Sequence, residues 1–82
     1  MGKFKMWIRS DCTYCQEAQA LLLQKGAAHE IIIVDGKKEE LQEIQTQYNW
    51  KTVPVVVETT ATGDEFIGGY DDLVTHLERR YA

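Results

Sequence analysis

The chain has 82 residues, 44% of them hydrophobic, and carries nine Lys or Arg against thirteen Asp or Glu for a formal charge of −4. That length fits one compact domain over residues 1–82 with a modest core and is too short for two. The acidic balance excludes a general nucleic-acid binder, which needs a basic field to gather phosphates, and no stretch approaches the apolar length of a membrane-spanning helix.

The first six residues lack a signal peptide's apolar run, and Met6 stands where a myristoylation signal needs Ser or Thr, so the expected compartment is the cytoplasm. Phe4 to Ile8 reads as a strand, and Lys3, Lys5 and Arg9 all precede the first acid, Asp11, giving a locally positive start. Cys12-Thr13-Tyr14-Cys15 follows where that strand gives way to a helix. From Thr13 to Lys25, Cys15, Ala18 and Leu22 repeat at helical spacing, which puts the second cysteine on the inward stripe and the first near the exposed tip; Gly26 supplies the stop. Glu30 to Val34 is apolar on both faces, as expected for an interior strand covered by helices, and Asp35-Gly36 ends it. Lys37 to Asn49 carries Leu41, Ile44 and Tyr48 at helical spacing, a second and more exposed helix. Pro54, the only proline, is expected to open a third strand through Val55-Val56-Val57. A turn from Thr59 to Asp64 then leads into a short fourth strand, Glu65-Phe66-Ile67, that forms a hairpin with the third. Gly68-Gly69 breaks the pattern. Asp71 and Asp72 favour a helix N-terminus, and Leu73, Val74, Leu77 and Tyr81 line one face of the last helix. The order βαβαββα, with a right-handed first crossover, predicts an α/β fold: a four-stranded mixed sheet with three helices packed on it.

The two cysteines close a loop too short to constrain much of an unfolded chain, so they are reactive or metal-binding rather than architectural. The leading reading is dithiol-disulfide exchange, in which one thiol attacks and the other resolves. Cys12, at a helix N-terminus, suits the attacking thiolate. Arg9 and Lys51 are its candidate cationic neighbours, and Asp11 opposes ionisation if its carboxylate faces the sulfur. Cys15 starts deeper in the helix and acts second.

Three separated signatures, Cys12-Thr13-Tyr14-Cys15, Thr52-Val53-Pro54 and Gly68-Gly69-Tyr70-Asp71-Asp72, occur in this order over essentially the whole chain, and with them the sequence resembles the glutaredoxins, small thioredoxin-fold proteins that use glutathione. The resemblance implies a catalytic pair, Cys12 and Cys15, that reduces protein disulfides, while Cys12 alone reduces glutathione mixed disulfides. It implies a cis bond before Pro54, with Val53 offering its backbone to the cysteinyl part of glutathione. Gly69, Tyr70 and Asp71 would hold the γ-glutamyl end at a helix N-terminus, and Arg9, Tyr14, Lys51 and Thr52 would line the groove, the cations favouring the glycyl carboxylate. Glutathione is then the reducing co-substrate, regenerated indirectly by glutathione reductase and NADPH; protein disulfides are the substrates, ribonucleotide reductase being a family precedent; and a monomer without a tightly bound cofactor is expected.

Two departures stand out. Thr13 occupies a position where the dithiol family motif commonly has proline, and residues Glu58 to Glu65 lengthen the hairpin, read most simply as a surface loop. Thr13 also raises an alternative, a [2Fe-2S] cluster bridged between two protomers by Cys12 and glutathione. Another is a redoxin of similar fold that takes electrons from thioredoxin reductase. A mononuclear zinc site would have to recruit the distant His29 and His76 or a second subunit; the spacing of the histidines from the cysteines forms no zinc-finger pattern, and both are weak catalytic candidates. Trp7 and Trp50 read as packing residues, and Asp72 equally well as a complement to the helix dipole.

Overall fold

The computed structural model describes residues 2–80. Seven elements follow in the expected order: β1 (Lys3–Ile8), α1 (Thr13–Gln24), β2 (His29–Ile33), α2 (Lys38–Gln47), β3 (Val55–Thr60), β4 (Gly63–Gly68) and α3 (Tyr70–Arg80). The sheet order is β2-β1-β3-β4, with β1 parallel to β2 and the other two pairings antiparallel. Tyr81, assigned to the inner face of the last helix, lies outside the described residues.

Side-chain alternation along β1 and β3 divides the core into two layers. Phe4, Met6, Ile8 and Val56 pack with Cys15, Ala18 and Leu22 of α1 and Leu73 and Leu77 of α3. Trp7, Val55 and Val57 pack on the other face with Leu41 of α2, extended by the stacked rings of Tyr48 and Phe66 and by Trp50. α1 ends in a Schellman motif, with Ala27 N–H on the Leu22 carbonyl, Gly26 N–H on the Leu23 carbonyl and Gly26 at φ 66°. Glycine adopts that conformation without Cβ strain, as the sequence suggested.

Two expectations are corrected. β2 is an edge strand, not an interior one: among the described residues its only neighbour is β1, and Ile33 is 50% exposed. Its isoleucines are apolar on both faces because Ile31 reaches one layer of the core and Ile32 the other. The hairpin extension is strand rather than loop. β3 runs to Thr60 and β4 begins at Gly63, so only Ala61 and Thr62 turn. Thr59 donates to Asp64 (2.8 Å), and the Thr60 hydroxyl donates to the Gly63 carbonyl (3.0 Å) while accepting the Thr62 N–H, so threonines that look like loop residues satisfy a tight turn. Glu58, within that supposed loop, is buried and bound to His76 at 2.7 Å.

The register brings the separated motifs together. Trp7 faces Val55, Val56 faces Gly68, and Ile8 faces Ile33, so the segments after β1, before β3, after β4 and after β2 all emerge at one end of the sheet.

Candidate active site

Cys12 is the N-cap of α1, with extended backbone (φ −106°, ψ 113°). Its carbonyl accepts the Gln16 N–H (3.1 Å), the first bond of the helix, and its Sγ accepts the Cys15 N–H (3.1 Å). The sulfur thus takes the place that a Ser or Asp oxygen occupies in an ordinary cap, among N–H groups that helix geometry leaves unpaired. A thiolate there is stabilised by donors already in position. Cys12 and Cys15 form a disulfide, with Cα atoms 5.2 Å apart. Cys15 is fully buried beneath Ala18 and Leu22, whereas Cys12 is partly exposed, so only one sulfur of the pair is open to an approaching partner. The burial order matches the helical spacing of Cys15, Ala18 and Leu22.

Val53 faces this sulfur, its carbonyl oxygen 3.9 Å from Cys12 Sγ, and the Val53-Pro54 bond is cis. Thr52 and Lys51 precede it on the surface, and Gln45 of α2 donates its side-chain amide to the Thr52 carbonyl (3.2 Å), a brace the sequence did not reveal. Tyr14 is 61% exposed, and its ring centroid lies 5.8 Å from that of half-buried Tyr70, so α1 and α3 meet through two of the anticipated residues.

At the third signature, Gly68 is the glycine that the fold requires. It has φ 124°, and a Cβ there would run into the Asp72 carboxylate. Gly69 has ordinary room, its added Cβ 3.4 Å from Trp50, so Trp50 is a packing residue under this loop. The Gly69 N–H donates to Asp72 Oδ2 (3.0 Å) and the Gly69 carbonyl accepts the Leu73 N–H, so Asp72 supplies half of a capping box, Gly69 having no side chain to return the bond. Exposed Asp71 lies outside that bond, and the first-turn N–H groups of Tyr70 and Asp71 have no intrahelical acceptor.

Arg9 is exposed and lines a cavity of about 590 Å³ with Asp35 and Lys38. The Asp35 carboxyl is held below its usual value of 3.8, first by the Ser10 hydroxyl and then by the Ser10 N–H, against an opposing effect of burial that outweighs the further lowering by Arg9. Its folded pKa is depressed, so the stability it contributes is present above the ordinary carboxylate value and lost as pH falls through the lowered one. His29 Nδ1 lies 2.8 Å from the Ala27 carbonyl, and His76 is committed to Glu58; among the described residues no group of three or more His, Cys, Asp or Glu is placed to hold a metal ion.

A helix-capping, partly exposed sulfur joined to a buried one and facing a cis-proline loop defines a dithiol-disulfide redox centre on a thioredoxin-like fold. The glutaredoxin family profile matches residues 4–67, and the chain belongs to the glutaredoxin family. It is 30% identical over 73 residues to glutaredoxin 3 of Escherichia coli K12, covering 89% of this chain and 83% of that protein. The solution structure of Brucella melitensis glutaredoxin superposes with TM-score 0.76 at 31% identity over 98% of this chain and 82% of that one. The NrdH-redoxin of E. coli, described as a glutaredoxin-like protein with a thioredoxin-like activity profile, superposes with TM-score 0.69 at 26% identity, covering 92% and 93%. Members of this family are thiol-disulfide oxidoreductases, and so is this protein.

Proposed function

We propose that the protein is a glutathione-dependent reductase of protein disulfides and glutathione mixed disulfides, working in the cytoplasm. The observation that carries this reading is the asymmetry of the pair: an N-capping Cys12 open to solvent beside the Val53 backbone, and a Cys15 with no exposure. Cys12 thiolate attacks the glutathione sulfur of a glutathionylated substrate, forming a Cys12-glutathione disulfide and expelling the substrate thiolate, which takes a proton from water. A second glutathione thiolate then attacks that disulfide at the glutathione sulfur, giving oxidised glutathione and returning Cys12 as thiolate. With a protein disulfide, Cys12 thiolate attacks one substrate sulfur, forming a Cys12-substrate disulfide and releasing the first substrate thiolate; Cys15, once its proton has passed to water, attacks Cys12 and releases the second, and the Cys12–Cys15 disulfide formed is then reduced by two glutathiones to oxidised glutathione.

In this proposal the Val53 backbone pairs with the cysteinyl part of glutathione beside cis Pro54. The N-terminus of α3 at Gly69, Tyr70 and Asp71 receives the γ-glutamyl end, the first-turn N–H groups meeting its carboxylate and Asp71 its ammonium. The Gly69 N–H is already spent on Asp72, which puts the weight on Tyr70 and Asp71. Arg9, Lys51, Thr52 and Tyr14 frame the remainder. A second reading, a redoxin reduced by thioredoxin reductase, is favoured by the near full-length match to NrdH-redoxin. A coupled assay following NADPH consumption separates the two: turnover with glutathione plus glutathione reductase, and little with thioredoxin reductase alone, is expected. The reverse pattern assigns the protein to the second reading.

A further inference from the structure

Arg9, Ser10 and Asp11, the three residues that bring the chain from β1 to Cys12, are all exposed, so no apolar burial fixes them. Polar bonds do. The Ser10 N–H donates to Asp35 Oδ1 (3.1 Å), the Ser10 hydroxyl donates to Asp35 Oδ2, and the Ser10 carbonyl accepts the side-chain amide of Gln16 (3.3 Å). Every polar group of Ser10 is therefore engaged, two of them by a carboxylate 25 residues away in the turn after β2. That turn is anchored in its own right: the Val34 N–H donates to the Ile8 carbonyl (2.8 Å) and the Lys37 N–H to the Val34 carbonyl (2.9 Å).

We propose that Asp35 is a positioning residue for Cys12: by holding both hydrogen-bond donors of Ser10, it keeps the exposed loop in the one path that leaves Cys12 Sγ on the Cys15 N–H at the start of α1. The proposal rests on Cys12 being the attacking thiol. Loosening the loop lets the sulfur leave the helix N-terminus and weakens the interaction that favours the thiolate. Other charges on the segments that meet there are Arg9 and Asp11 in the loop itself, Lys37 and Lys38 at the start of α2, Lys51 before the cis proline and Asp71 and Asp72 on α3. Asp35 also carries a negative charge, which by itself opposes a nearby thiolate, so tether and charge act in opposite directions.

The test uses the full chain with Cys15→Ser, so that one thiol reports, and follows the rate of iodoacetamide alkylation against pH, with circular dichroism to verify folding. Asp35→Ala is expected to raise the pH midpoint by about half a unit, the size of one lost helix-terminus interaction. Ser10→Ala, which loses only the hydroxyl bond, should shift it less in the same direction and decides the matter if the alanine variant at position 35 does not fold. Asp35→Asn keeps an acceptor for the Ser10 N–H and is expected to move the midpoint less than Asp35→Ala. Unchanged midpoints in Asp35→Ala and Ser10→Ala overturn the proposal, as does a fall in midpoint shared by Asp35→Ala and Asp35→Asn, the mark of a pure charge effect. Failure of Cys12 to react when Asp35 is intact is a separate outcome that overturns the reading of Cys12 itself, and the proposal with it.

Discussion

At the scale of single residues, the site depends on what each position does to its neighbour's backbone. Cys12 caps a helix with sulfur, Val53 presents a carbonyl beside it, and Gly68 takes a φ that lets the chain turn under the Asp72 carboxylate. The last point is sharp enough to test. Gly68→Ala combines a conformation that L side chains rarely adopt with a clash against the helix cap, and is expected to destabilise the protein by roughly 1–3 kcal/mol. Gly69→Ala, where an added Cβ meets only ordinary contacts, is expected to cost less. Urea unfolding of both variants measures the difference, and equal losses would contradict the assignment. Sequence pattern alone could pair Cys12 with Cys15, because their spacing encodes local geometry, whereas Pro54 and the two glycines come near them only through the resemblance to glutaredoxins. It could not separate the two glycines, which depend on where Asp72 folds back. Nor could it show that Asp35 holds Ser10, since that bond spans residues distant in the chain.

Among the elements, α3 owes its position to more than its apolar stripe. Leu73 and Leu77 pack on the sheet beside Cys15, and His76 reaches Glu58 of β3 through a bond buried from solvent, with Phe4 meeting the imidazole edge-on at 5.9 Å. A helix carrying the third signature on its first turn is thereby pinned to the strand that follows the second signature. His76→Ala leaves the Glu58 carboxyl buried without this partner, a loss expected to destabilise by about 1–3 kcal/mol in denaturant unfolding. His76→Gln, which retains a donor, should recover part of it. Full stability in His76→Ala would show the bond to be dispensable. The elements themselves were legible in the residue pattern, except where pairing decides the outcome. The isoleucine run of β2 looks like a central strand because both faces meet core, yet neighbours in a sheet are assigned by the whole topology, and β1 and β3 take the centre. Thr59 and Thr60 look like turn residues until their hydroxyls are seen closing a two-residue turn.

For the whole molecule, topology explains how three short motifs scattered over the chain make one centre. The parallel β1–β2 pair and the antiparallel β1–β3 and β3–β4 pairs deliver four connecting segments to the same end of the sheet. Family membership, fold and dithiol chemistry follow from that arrangement together with the profile match. Choice of reductant is finer, because this chain superposes both on a glutaredoxin and on NrdH-redoxin. The proposed chemistry turns on a division of labour between an open attacking sulfur, Cys12, and a buried resolving one, Cys15. Deglutathionylation of a glutathione mixed disulfide by the two single variants tests it most directly: Cys15→Ser is predicted to keep the activity and Cys12→Ser to lose it. Full activity in Cys12→Ser, or its loss in a folded Cys15→Ser, would contradict the account.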